Sequence, residues 1–286
     1  MNPGTLLSAM AILGGVGLTF AILIAVACRK LKVFEDPRID DVAGMLPGAN
    51  CGACGSAGCR AFAEKVVKGE SKPVTCTVSS PSGHQAIASY LGVSAGTAVR
   101  RVARLLCAGG SDVAIQQATY RGFPSCAAAS AVGGGGKGCT WGCIGLADCA
   151  ISCTFHAITM NRHGLPVVDP ALCTACGDCV EACPKDLFTI LPETRRLLVQ
   201  CKSRMMGDLV TANCRVGCTG CGICVVDADP GLVSIVDGLA VVAPERADDG
   251  NEKSVRRCPT GAIAWCEGTQ QFVGPPAGVL QGASAS

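Results

Sequence analysis

Cysteine is the residue through which this chain can do chemistry. There are 22 in 286 residues, against three histidines. Most stand in tight groups: Cys51-x2-Cys54-x4-Cys59 with Cys76 further on, Cys139-x3-Cys143-x5-Cys149-x3-Cys153, Cys173-x2-Cys176-x2-Cys179-x3-Cys183-Pro184, and Cys218-x2-Cys221-x2-Cys224, answered downstream by Cys258-Pro259. Thiolates at such spacings ligate soft metals. Zinc sites use two separated Cys-x2-Cys pairs, often with His. Three Cys two residues apart, closed by Cys-Pro, are instead the run of bacterial ferredoxins. Iron–sulfur ligation is therefore expected ahead of zinc. Secreted disulfide scaffolds can be as cysteine-rich, but they are short.

The spacing also divides the thiols into sets of four. Cys51, Cys54, Cys59 and Cys76 suit one [4Fe-4S] cluster. In two-cluster ferredoxins the last Cys of each run ligates the other cluster. That rule predicts one set of Cys139, Cys143, Cys149 and Cys183, and another of Cys173, Cys176, Cys179 and Cys153. Residues 214–266 repeat this unit in damaged form. Aligning Cys258-Pro259 with Cys183-Pro184 puts Asp248, Asn251 and Ser254 where Cys173, Cys176 and Cys179 stood, and Ala228 where Cys153 stood. All four ligands of one cluster are gone together, while Cys218, Cys221, Cys224 and Cys258 keep the other.

Six cysteines remain. In the first repeat Leu146 takes the central position of the triplet, and Cys139 is expected to supply the missing thiolate. The second repeat has both Cys214, the counterpart of Cys139, and Cys221, the counterpart of Leu146. Cys214 is then free to join Cys107, Cys126 and Cys201 in a fifth site. The alternative is four buried thiols packing as small hydrophobes. Four clusters are expected on the paired sets, or five with this one. Cys28 and Cys266 are read as inert. No catalytic residue is expected: there is no Ser/His/Asp constellation, carboxylate pair or dinucleotide fingerprint. GGGGKG at 133–138 is no P-loop, because Gly138 stands where Ser or Thr should bind magnesium. His84, His156 and His163 read as surface or turn residues.

The elements that must position these thiols give an α+β protein in several pieces. From Thr5 to Cys28 no residue is charged, enough for a helix of about 36 Å at ~1.5 Å per residue, longer than the roughly 30 Å bilayer core. A cleaved signal peptide would need a basic start and a shorter apolar run. Here Arg29, Lys30 and Lys32 follow the run and nothing basic precedes it, which places the rest of the chain on the cytoplasmic side. The expected division is a transmembrane anchor at 1–32, a small helical four-Cys domain at 33–92 and a connecting segment at 93–132. A two-cluster ferredoxin-like domain follows at 133–192, then a second unit with one cluster lost at 193–266 and a disordered tail at 267–286. A helical segment is expected near 84–106, and hairpins in AITMNRHGLPVVD and SIVDGLAVV, the latter turning at Asp-Gly. Net charge is only +2, which leaves no basic footprint for nucleic acid.

With the motifs in this order, the chain resembles the B subunits of the Rnf family, in their longer, cluster-rich form. These belong to ion-translocating ferredoxin:NAD oxidoreductases of bacterial membranes. The resemblance rests on the apolar N-terminus, CGACGSAGCRAF, Cys76, LCAGG, Tyr120 to Cys126, GGGGKGCTWGCIGLADC and the two ferredoxin-like units. It covers nearly the whole chain, and the degenerate last unit is the departure. It implies an electron-transfer subunit of a translocase in the cytoplasmic (inner) membrane, taking electrons from soluble ferredoxin and passing them to other membrane subunits while sodium or protons are exported. The competing expectation is a membrane-tethered reducing factor for an iron–sulfur transcriptional regulator.

Overall fold

A computed structural model describes residues 3–30, 35–97 and 99–272. The apolar run forms one helix, α1 (Pro3–Lys30), ending on Arg29 and Lys30. Its Met10–Ala27 stretch has a mean hydropathy of 2.4 and none of it is buried, so this helix is long and apolar enough to cross a membrane. A small helical domain follows, built from α2 (Arg38–Met45), α3 (Cys59–Val67) and α4 (Pro81–Leu91). Val42, Phe62, Val66 and Ile87 close its core.

The sequence-based helix near 84–106 is cut short. Ser80 caps α4 by accepting from Gly83 N at 3.1 Å, and Gly92 ends it in the left-handed region at φ 68°. The chain then emerges as a strand, β1 (Arg101–Leu105), buried at its last four positions. Nothing local reveals this, because β1 is held by a partner far downstream. The connecting segment therefore contributes a strand to the first ferredoxin-like unit. That unit continues through α5 (Cys126–Ala131), α6 (Asp148–Ile151), β2 (Ile158–Met160), β3 (Pro166–Val168), α7 (Asp178–Glu181) and β4 (Phe188–Pro192). Strand β1 pairs antiparallel with β4, Arg101 against Pro192 through Leu105 against Phe188. The expected hairpin is β2–β3, with Ile158 against Val168.

The second unit repeats this plan with β5 (Leu197–Val199), α8 (Asp208–Thr211), α9 (Ile223–Asp227), β6 (Val233–Val236), β7 (Leu239–Val242), α10 (Lys253–Arg256) and β8 (Ile263–Trp265). Here β5 pairs with β8, and the β6–β7 hairpin turns at Asp237 and Gly238, both at positive φ. In each unit a ligand loop presses on the hairpin turn. A Cβ on Gly145 would meet Gly164 O at 2.8 Å, and one on Gly220 would meet Gly238 O at 2.7 Å, so both positions require glycine.

Helices of four or five residues and two-stranded sheets are not stable alone. What they pack around must hold them, as in small metal domains. The tail expected from 267 departs from disorder at its start. Gln270, 2% exposed, accepts from Leu105 N at 3.0 Å and donates to Leu105 O at 2.7 Å, so its amide covers the free edge of β1. Gly268 O accepts from the buried Arg104, and Phe272 packs on the core. The rest of that tail, 273–286, lies outside the described residues.

Candidate metal centres

Among the described residues, five cavities are each ringed by four cysteines. Site I holds Cys51, Cys54, Cys59 and Cys76. Site II holds Cys126, Cys143, Cys149 and Cys183, and site III holds Cys153, Cys173, Cys176 and Cys179. Site IV holds Cys218, Cys221, Cys224 and Cys258, and site V holds Cys107, Cys139, Cys201 and Cys214. No three His, Cys, Asp or Glu side chains among the described residues converge on one metal ion. The thiols instead stand around a space that suits a cluster.

Sites I, III and IV group the cysteines as their spacing predicts. Sites II and V do not: Cys126 and Cys139 have exchanged places. The reason lies in backbone direction. The Cys139–Gly142 turn, closed by Gly142 N donating to Cys139 O at 3.0 Å, sends Cys139 to the cavity shared with Cys107 and Cys214. The gap left by Leu146 is filled by Cys126 at the start of α5. That residue is fixed by Asp148, whose carboxylate accepts from Cys126 N at 2.9 Å, Ala127 N at 3.0 Å and Ser125 Oγ at 2.9 Å. Burial would raise the pKa of Asp148, but these three donors outweigh it and hold the carboxyl below its ordinary value.

Backbone N–H groups point at the sulfurs. Ala157 N donates to Cys153 Sγ at 3.3 Å and Leu187 N to Cys183 Sγ at 3.5 Å, equivalent bonds in the two halves of the first unit. Ala103 N donates to Cys173 Sγ at 3.4 Å, and Ser203 N to Cys201 Sγ at 3.4 Å. Such bonds favour negative charge on sulfur and tune cluster potentials. Without metal, burial pushes the thiols of Cys143, Cys149, Cys179 and Cys201 up to about 12, and those of Cys214 and Cys224 up to about 11. Metal binding at these rings therefore has to displace protons.

Three supporting residues carry no motif of their own. Asp148 is one. Lys137, from the glycine-rich run, donates to Gly109 O at 2.5 Å and Cys143 O at 2.6 Å, lines site V and favours thiolate at Cys139, Cys143 and Cys214. The ring of His84 lies 2.9 Å from Cys76 O, supporting a site I cysteine from behind. His156 is a turn residue, as expected, at φ 52°. Cys266 is buried at the end of β8 and lines none of the five rings, and the side chain of Cys28 lies outside the described residues.

At the place that corresponds to site III, the second unit has neither the four cysteines nor the smaller lining residues. Site III is lined by Ala103, Ala157 and Ile190. Their counterparts are Leu197, Leu232 and Trp265, each larger; the two leucines belong to the second unit's apolar core and Trp265 packs against it. The loop that would carry the ligands packs on them: a Cβ at Gly250 would lie 3.2 Å from Leu197 Cβ and 3.4 Å from the Trp265 ring. Ser254, the counterpart of Cys179, is 1% exposed and its hydroxyl has no hydrogen-bond partner among the described residues.

Rings of four thiols on ferredoxin-like units define an iron–sulfur electron-transfer protein that carries several [4Fe-4S] clusters. The family described as "Putative Fe-S cluster" matches residues 46–78, all of site I, and the "4Fe-4S binding domain" family matches residues 165–188. The chain is 35% identical over 258 residues to the B subunit of the ion-translocating oxidoreductase complex of Methanosarcina acetivorans, covering 90% of this chain and 97% of that one. It is 36% identical over 261 residues to the B subunit of the proton-translocating ferredoxin:NAD(+) oxidoreductase complex of Clostridium ljungdahlii, covering 91% and 92%. It is 42% identical over 209 residues to the B subunit of the Na(+)-translocating ferredoxin:NAD(+) oxidoreductase complex of Acetobacterium woodii. That match takes in 73% of this chain but 63% of the relative, so the chain spans less than two thirds of that protein. The chain belongs to the family of Rnf B subunits, whose members are parts of an oxidoreductase complex.

Proposed function

We propose that this chain is the membrane-anchored electron-entry subunit of an ion-translocating ferredoxin:NAD oxidoreductase. The observation that carries this reading is the set of four-thiol rings distributed along a chain that also carries an unburied apolar helix. Clusters bound there supply one-electron chemistry. The chain's own residues fix where each cluster sits, exclude water from it and set its potential through N–H donors and nearby charge. Helix α1 anchors the soluble part, and Arg29, Lys30 and Lys32 hold that part on the cytoplasmic side. Reduced soluble ferredoxin is the electron donor, and the acceptors are other membrane subunits of the complex. The names of the relatives differ in the coupling ion, so the ion is not carried over.

The test is ferredoxin-dependent NAD reduction in membranes from cells lacking this chain. The activity should disappear and return with the full chain. Membranes that keep it, while an iron–sulfur regulator stays oxidised in the same cells, would point to the reducing-factor reading instead. A reporter active only outside the cytoplasm, fused after Ser286, should stay silent.

A further inference from the structure

Site V is assembled from two copies of one half-site. In the first unit Leu105 faces Phe188 and Cys107 lies just beyond; in the second Val199 faces Ile263 and Cys201 lies just beyond. The bond from Leu106 N to Leu187 O is repeated as Gln200 N to Ala262 O, both 2.7 Å. The other thiol of each half comes from the matching frames Cys139-Thr-Trp-Gly-Cys143 and Cys214-Arg-Val-Gly-Cys218. Each closes with the glycine N–H on the first cysteine's carbonyl, at 3.0 and 3.1 Å. The two halves even share a thiol contact, Cys143 N to Cys107 Sγ and Cys218 N to Cys201 Sγ, both 3.4 Å.

The two half-sites meet across a floor where a side chain would be crowded. A Cβ on Gly109 would lie 3.1 Å from Cys214 Sγ and 3.6 Å from Cys107 Sγ. Repetition of the units accounts for equivalent positions and equivalent N–H donors, but isolated buried thiols have no reason to turn both half-sites onto one cavity. A shared ligand gives that reason.

We propose that Cys107, Cys139, Cys201 and Cys214 bind a [4Fe-4S] cluster shared between the two ferredoxin-like units, two thiolates from each. The assignment rests on the reading that the other rings carry clusters, and it adds two consequences. The shared cluster ties the units together covalently through iron. It also adjoins site II through the Cys107–Cys143 contact and site IV through the Cys201–Cys218 contact, so it lies between a redox centre of each unit. Electron exchange between such neighbours oxidises one as it reduces the other, with no bond made or broken.

The experiment is iron and sulfide content of the full chain, purified in detergent and reconstituted anaerobically. The unaltered chain should hold about 20 irons, at four per cubane; a ceiling of about 16 overturns the site. Cys107→Ala and Cys139→Ala should each lose about a fifth of the iron, and the double variant no more, because one site empties once. A double variant that loses two fifths would overturn the shared set. Cys126→Ala combined with Cys149→Ala should likewise lose one fifth only. EPR signals that vanish with Cys258→Ala should persist in Cys107→Ala, which shows that the variant is folded; if they do not, the count in the unaltered chain decides. A chain that binds no iron at any ring would overturn the multi-cluster reading itself.

Discussion

Cys126 is held at its cavity by Asp148, which accepts from the N–H groups of Cys126 and Ala127 and from the Ser125 hydroxyl, from 22 residues away. Asp148→Asn keeps the shape but removes the charge and puts a donor where an acceptor is needed. We expect it to lose about four irons, by release of site II, and to open Cys126 to alkylation in the native chain. Full iron content with Cys126 still protected would show that the loop is held by other means. Lys137 acts by charge. It is anchored on Gly109 O and Cys143 O beside site V, and a cation there stabilises the more negative, reduced state of a cluster. Lys137→Gln should therefore shift one EPR-detected midpoint potential to a more negative value and leave that of site I unchanged. An unshifted set would remove Lys137 from the tuning residues. Neither role is visible in the sequence, where Asp148 is one carboxylate among many and Lys137 lies in a motif that resembles a phosphate loop. The spacing of Cys173, Cys176, Cys179 and Cys183, by contrast, carries its own meaning because the ligand loop is continuous.

The elements show how a cluster site is lost and how an edge is kept. Where site III has Ala103, Ala157 and Ile190, the second unit has Leu197, Leu232 and Trp265, so apolar side chains occupy the room a cluster would need. Restoring the ligands alone, with Ala228→Cys, Asp248→Cys, Asn251→Cys and Ser254→Cys, should add no iron. Adding Leu197→Ala, Leu232→Ala and Trp265→Ile to those four should allow about four more. An extra cluster without the core changes would show that packing is no barrier. Strand β1 makes its ladder with β4 on one edge, and Gln270 supplies the partner groups for Leu105 on the other. Gln270→Ala leaves a buried N–H and C=O unpaired, at about 1–3 kcal/mol each. It should lower the denaturant midpoint at which cluster absorbance is lost. An unchanged midpoint would mean that water replaces the amide at no cost. The strand is not legible in the sequence because its helix-like composition competes with a pairing that only the folded chain supplies.

At the scale of the whole molecule, the chain is an apolar helix, a small helical cluster domain and two ferredoxin-like units related by internal repetition. The family follows from the order of these parts along the chain. Sequence alone carried the metal chemistry, the sets of cysteines that line sites I, III and IV, the absence of four cysteines from the second unit and the apolar length of α1. Each of these is written in residue types and their spacing along the chain or in an uninterrupted run. It also left one cysteine of the second unit over, and Cys214 lies outside the ring of site IV. Only the tertiary structure decided which distant thiols share a cavity. Cys139 stands four residues before Cys143 yet faces away from site II, while Cys126 enters from a separate loop. Spacing bounds how far apart two ligands can be but does not fix the face from which they arrive. That face is set by a turn at Cys139–Gly142, a carboxylate at position 148 and the pairing of β1 with β4, the last two of which exist only once the chain has closed on itself.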